Sequence, residues 1–218
     1  ELGIDLGSIY GTPFTGIRFV DEHSTVSAEF ARGQGLGVRR LTLHRLLVER
    51  AAALGVRMHW KTSIELHSGS SPLLGGKALF YKYLIGADGE SSRTRMWAGL
   101  DSGVLRSRRF GFRAHFELGS ERNAEENPVN SHVEIYWGDT GQVYVTPIGE
   151  RRVCLAVISR SRSPATFKDT IDSIPVLRDM LSRAKQLTPQ RGAVTTTSSF
   201  YRVVRGNVAL LGDASGSA

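Results

Sequence analysis

The chain has 218 residues, 40% of them hydrophobic and 22% charged, enough for one good core or a core with a smaller satellite, and not the composition of a disordered protein. No apolar run approaches the roughly 20 residues of a membrane-spanning helix, and the segment after Glu1 lacks the basic–apolar–small order of a secretory signal. The net charge of +7 raises nucleic acid as a partner, but the densest basic cluster (Arg106, Arg108, Arg109, Arg113) adjoins an alternating strand rather than a basic helix; an anionic cofactor or substrate explains as much as nucleic acid does, and no nucleic-acid partner is expected.

Gly16–Val20 and Thr25–Phe30 read as short strands around a polar turn at Asp21-Glu22-His23. The glycine-rich run Gly33-Gln34-Gly35-Leu36-Gly37 reads as a loop. A helix follows, with Leu43, Leu46, Leu47, Ala51 and Leu54 on one stripe taken as core positions and Gly55 as its C-terminal stop. Val56–Trp60 reads as a strand entering the core. Ile64–Leu66 and Ala78–Tyr81 form a meander around the Ser/Gly/Pro-rich stretch 68–76. Tyr83–Ala87 is a buried strand that stops at Asp88-Gly89, and Ser91–Trp97 opens a helix.

From Arg109 the period changes to two. Phe110, Phe112, Ala114 and Phe116 alternate, as do Val133, Ile135 and Trp137, and Gly138-Asp139-Thr140-Gly141 is a hairpin turn before Val143–Pro147 and Val153–Ile158. These predict an antiparallel sheet of about four strands. Phe167–Ala184 is one helix or a broken pair, because Pro175 interrupts it. Strands near Val194–Tyr201 and Asn207–Leu211 close the chain before Gly212-Asp213-Ala214-Ser215-Gly216. Cys154, the sole cysteine, sits in an apolar run and reads as a structural core thiol, in keeping with a reducing cytoplasm.

Three motifs carry chemistry. In Gly86-Ala87-Asp88-Gly89-Glu90-Ser91-Ser92-Arg93-Thr94-Arg95, a carboxylate and a glycine stand at the carboxyl end of a buried strand, where ligands bind in open α/β sheets. An ordinary Asp-Gly turn with a Ser-capped helix is equally open. Arg40, just before the leucine-striped helix, can reach a pyrophosphate or can be a solvated side chain. In Val208–Gly216 an apolar strand delivers Asp213 to its end, either for sugar-type hydroxyls or as a plain turn.

Taken in order, Arg-x-x-Leu-x-x-x-Leu, Gly-Ala-Asp-Gly-x-x-Ser-x-x-Arg and Gly-Asp-Ala resemble the pattern of FAD-dependent monooxygenases related to para-hydroxybenzoate hydroxylase, a fold shared with geranylgeranyl reductases and flavin halogenases. The resemblance implies an α/β chain, α+β overall. Residues 1–104 and 198–218 would be an incomplete Rossmann-like FAD-binding domain, interrupted at 105–197 by an antiparallel substrate-binding sheet with one helix. It implies that Arg40 contacts the FAD ribose–pyrophosphate region and that Asp88 and Gly89 shape a groove shared with a nicotinamide cofactor, completed by Ser92 and Arg95. Asp213 would bind the ribityl hydroxyls, with Gly212 and Ala214 passing close to the pyrophosphate. The implied activity is NAD(P)H-dependent insertion of one oxygen from O2, by way of a hydroperoxyflavin, into a small organic substrate.

The family's opening Gly-x-Gly-x-x-Gly turn and the helix beyond its Gly-Asp motif are absent, so the chain is expected to be an internal fragment that binds FAD weakly or not at all. Gly33–Val38 does not replace that turn, because Val38 stands in the third glycine's place. No side chain is nominated as acid or base, and the six histidines show no paired metal-ligand spacing. In Gln142–Pro147, where halogenases carry a Trp-x-Trp-x-Ile-Pro segment, only Tyr144 keeps an aromatic and no lysine stands near, which disfavours a halogenase. A geranylgeranyl reductase-like activity and a non-catalytic module are the alternatives.

Overall fold

A computed structural model describes residues 3, 4, 6, 10–119 and 131–217. It is a mixed α/β structure rich in sheet, and its backbone contacts divide into two compact units: Glu1–Val56 with Arg109–Ala193, and Arg57–Arg108 with Val194–Ala218. The side chain of Arg106, part of the basic cluster, lies outside the described residues.

The first unit is built on alternation. The long strand Gly103–Glu117 enters it at Arg109 and pairs antiparallel with Arg152–Ser159, which pairs with Gly141–Gly149, which pairs with His132–Gly138. On one face Phe112, Ala114, Phe116, Val143, Val145, Val153, Leu155 and Val157 are buried. The helices Thr166–Asp172 and Pro175–Leu181 cover that face with Phe167, Ile171, Leu177 and Met180, and the rings of Phe116 and Phe167 stack with centroids 6.4 Å apart. Each such aliphatic or aromatic side chain contributes about 2–3 kcal/mol on burial. Pro175 takes the first position of the second helix, which is why, of the two forms expected for this segment, the broken pair is the one that forms.

The opposite face of the same strands stays half open. Successive registers place Val26, Phe19, Ile135, Tyr144, Ala156 and Arg113 in one row, and Thr146, Cys154 and His115 in the next. Cys154 is therefore not in the core: Val153 and Leu155 point inward, and the period of two turns the thiol to the other side.

Two features of this unit were not foreseen. The hairpin Gly16–Val20/Thr25–Glu29 joins the sheet through a parallel pairing of Gly16–Val20 with His132–Gly138. Arg18 lies opposite Glu134, and its guanidinium Nη1 is 2.8 Å from the Glu134 carboxylate, whose other oxygen accepts from the Tyr136 hydroxyl at 2.8 Å. Second, the glycine run is a strand, Gly35–Val38, paired with Gly11–Phe14. A Cβ on Gly37 would stand 1.9 Å from the Pro147 carbonyl oxygen, so the glycine serves strand packing, and the loop reading is corrected.

The helix Arg40–Ala53 forms as expected and ends at Gly55 with φ +76°, but it buries none of its residues. Leu43 and Leu46 are half-buried, while Leu47 and Leu54 are exposed, which corrects their placement in the core. The segment 56–59 is likewise extended coil with Val56 exposed, and not a core strand.

The second unit holds the parallel pair Leu84–Gly86 and Val208–Leu210, with Val204–Arg205 at the edge. Its core is Ala98, Leu100, Val208, Leu210 and Ala214. Ile85 is half exposed, so the predicted strand is buried on one face only. The meander is a three-stranded ribbon, Ile64–Glu65, Leu73–Leu74 and Lys77–Ala78.

Candidate functional site

Parallel register decides where the second unit's chemistry falls. Leu210 lies opposite Gly86, and the Leu211 amide donates to the Gly86 carbonyl at 2.8 Å. Two neighbouring strands running the same way thus release both Gly-Asp motifs at their common carboxyl end. Asp88-Gly89 follows one strand and Gly212-Asp213 the other. This is the crevice position at which open parallel sheets bind ligands. Gly89 and Gly212 have φ of +82° and +59°, values that favour glycine, and nothing stands within 4 Å of where either Cβ would be. The backbone at both turns is open to close approach by a ligand.

Asp88 is held from one side. It accepts from the Ser92 hydroxyl at 2.5 Å, the Thr94 amide at 3.0 Å and the Thr94 hydroxyl at 3.1 Å. Its partial burial acts to raise its pKa, but the bonds from Ser92 and Thr94 outweigh burial and hold the carboxyl below its ordinary value. Ser92, fully buried, caps the short helix Arg93–Trp97 by accepting from the Arg95 amide at 2.9 Å.

Arg95 joins the two motifs. Its guanidinium is buried, donates from Nη2 to the Glu90 carbonyl at 2.6 Å and from Nη1 to the Ala214 carbonyl at 3.0 Å, and lies 4.2 Å from the centre of the Phe200 ring. Gly212–Ser215 is a single tight helical turn with Ala214 buried, which leaves the Asp213 side chain exposed at its start.

Seven of the eight nominated residues (Asp88, Gly89, Ser92, Arg95, Gly212, Asp213 and Ala214) accordingly lie in one unit, bound together by Arg95. Arg40 lies in the other. It opens the helix Arg40–Ala53 and lines a cleft of about 420 Å³ with Arg39, Arg113, His115, Thr188 and Arg191. There the Thr188 hydroxyl oxygen is 3.1 Å from the His115 amide and 2.9 Å from its Nδ1. Sequence reasoning missed Thr94 and Phe200 in the second unit; in the first it counted Arg113 in a basic cluster open to an anionic ligand but did not join it to His115. The last two had a signal, since residues two apart on a strand share a face.

No family model and no curated protein matches the sequence. Solved structures match it well in fold. The flavin-dependent halogenase CmlS superposes with a TM-score of 0.77 at 18% identity, covering 94% of this chain and 42% of that one. A geranylgeranyl bacteriochlorophyll reductase-like protein from Thermoplasma acidophilum gives 0.75 at 16%, covering 97% and 57%. A 2-methyl-3-hydroxypyridine-5-carboxylic acid oxygenase gives 0.73 at 21%, covering 95% and 59%. The chain spans about two fifths to three fifths of the length of these structures. Its fold is the one shared by flavin-dependent halogenases, a geranylgeranyl reductase-like protein and a flavoprotein-type oxygenase, as the resemblance to the para-hydroxybenzoate hydroxylase group implies.

Proposed function

We propose that the chain is the part of an FAD-dependent oxidoreductase that carries one portion of the flavin site and the substrate sheet. The observation that carries this reading is the delivery of Asp88-Gly89 and Gly212-Asp213 to one end of two adjacent parallel strands, tied by Arg95. The residues fit a dinucleotide. The two turns leave backbone uncovered, and Asp213 offers an exposed carboxylate to hydroxyl groups. The cofactor-binding part then draws its residues from 1–104 and 198–218, and the substrate part from 105–197 together with the hairpin 16–29 that joins its sheet.

Within it, Asp213 accepts from ribityl hydroxyls, and the Gly212 and Ala214 backbone approaches the pyrophosphate. Arg40 serves the ribose–pyrophosphate region, and Asp88 and Gly89 shape a groove that also admits NAD(P)H. Ser92 and Arg95 have their own partners inside the unit, so their part is to hold Asp88 and the Ala214 carbonyl in position. The half-open face with Phe19, Ile135, Tyr144 and Ala156 packs a small organic substrate and sheds its water. FAD supplies the redox chemistry when bound.

The favoured reaction is an NAD(P)H-dependent monooxygenation in the cytoplasm. Gln142 and Thr146 stand where halogenases have a tryptophan and an isoleucine, and the Tyr144 hydroxyl donates to Gln142 at 3.0 Å. Reduction of an isoprenoid-like alkene is the second reading, supported by the likeness to the reductase-like structure. The full-length protein is purified and its flavin spectrum recorded, then NAD(P)H oxidation and O2 uptake are followed together. Bound FAD that Asp213→Ala removes, with O2 consumed as NAD(P)H is oxidised, supports the first reading. Bound flavin without O2 uptake favours the second, and a protein that holds no FAD overturns both.

A further inference from the structure

The first unit holds a cluster of cations that the flavin reading uses only at its margin. Arg39, Arg40, Arg113 and Arg191 line one cleft around His115, with Leu41, Thr188 and Pro189 completing it. No carboxylate is among the lining residues, and none of the four arginines is in an ion pair among the described residues. The nearest acid along the strand, Glu117, faces Arg152 at 3.2 Å.

Four guanidinium groups around one hollow repel one another, and the strand register keeps Arg113 and His115 on the same face. A cleft lined by one sign of charge concentrates the opposite charge within it. Arg39 precedes the fourteen-residue helix Arg40–Ala53 without a side-chain cap and with no acid in the first turn, so the free amides of that turn add to the positive potential. His115 feels this field: partial burial first, and then the charges of Arg39 and Arg113, hold its imidazole below the ordinary histidine pKa.

Charge counting selects the ligand class. A monocarboxylate would neutralise one of the four guanidinium groups, whereas a phosphate or pyrophosphate carries two or more charges and presents several oxygens to planar forks. We propose that Arg39, Arg113 and Arg191, with His115 between them and Arg40 beside them, form a binding site for a phosphoryl-bearing polyanion. The site shares Arg40 with the proposed flavin contacts and rests on that reading for the source of the phosphate, but not for its chemistry. The source is a dinucleotide or a phosphorylated substrate.

Inorganic pyrophosphate is the probe, titrated into the full-length protein while the His115 ring resonances, assigned by loss in His115→Asn, are followed by NMR. The expected result is a rise in the apparent pKa of His115 on binding, and at least a tenfold loss of pyrophosphate affinity in Arg113→Gln/Arg191→Gln with an unchanged circular dichroism spectrum. A His115 signal indifferent to pyrophosphate, or equal affinity in the double variant, overturns the site. If the double variant does not fold, Arg39→Gln alone is read the same way. Displacement of pyrophosphate by NADPH, by FAD or by neither assigns the phosphate to the electron donor, the flavin or the substrate. A His115 response in a protein that shows no bound-flavin absorbance leaves this site standing and removes the flavin reading alone.

Discussion

Arg95 Nη1 donates to the Ala214 carbonyl at 3.0 Å, across 119 positions of sequence. A residue from the first Gly-Asp motif thereby fixes the backbone of the second. The same guanidinium bonds the Glu90 carbonyl and stacks on Phe200, so its three contacts are made by a planar fork and not by a point charge. Arg95→Ala is expected to cost about 3 kcal/mol of stability, the lower end for two hydrogen bonds from a charged donor at about 1.5–3 kcal/mol each. Arg95→Lys recovers little, because one ammonium cannot serve two carbonyls and a ring. Urea unfolding of the three proteins, with FAD affinity measured alongside, checks the ordering.

Asp88 sets the acid limb of stability in its unit. Its carboxyl is held below the unfolded value, so the folded state binds fewer protons than the unfolded chain as pH falls toward that value. The contribution is fully present above the unfolded pKa and is lost as pH falls through the lower folded one. Melting temperatures from pH 7 to pH 3 therefore fall less steeply in Asp88→Asn than in the parent protein. Equal slopes would mean that the Ser92 and Thr94 bonds do not bias Asp88 toward its charged form.

The buried pair Arg18–Glu134 answers to a different rule. Glu134 is only 1% exposed and has both oxygens occupied, by Arg18 and Tyr136. Arg18→Met leaves a buried carboxylate without its counter-charge and is expected to cost about 3–5 kcal/mol. Arg18→Met with Glu134→Leu removes both charges and regains most of that loss. A double-mutant cycle by chemical denaturation gives the coupling directly.

Gly37 tests the ribbon that sequence reading took for a loop. Gly37→Ala brings a methyl group onto the Pro147 carbonyl, where backbone and not a flexible side chain must yield. The expected cost is about 2 kcal/mol or more. Gly33→Ala meets no atom within 4 Å and loses less, through its φ of +72° alone, and thermal melts of the pair separate contact from conformation.

Much of this was legible in the chain because local period reports local structure. Phe112, Ala114 and Phe116 announced a strand with one buried face, and Pro175 announced a break between helices. The Gly-Asp motifs were legible as strand ends, but Arg95 reaching Ala214 was not, since no local pattern records a partner 119 residues away. The helix Arg40–Ala53 shows the opposite failure. Its leucines read as core from spacing alone, yet burial needs an opposing surface, and none of its residues is buried. Cys154 misled for a related reason: an unbroken apolar run hides which of its members face inward.

The parallel pairing of Gly16–Val20 with His132–Gly138 also bears on how the protein is made. Synthesis delivers the hairpin 16–29 more than a hundred residues before the strand that receives it. Until then the edge that will meet that strand is unpaired, and closing so long a loop slows the step that joins them. The receiving strand in turn offers a bare edge to any other strand until the hairpin docks. The early hairpin is thus the late event of folding, and a delay between translation and docking is when the chain is most exposed to self-association.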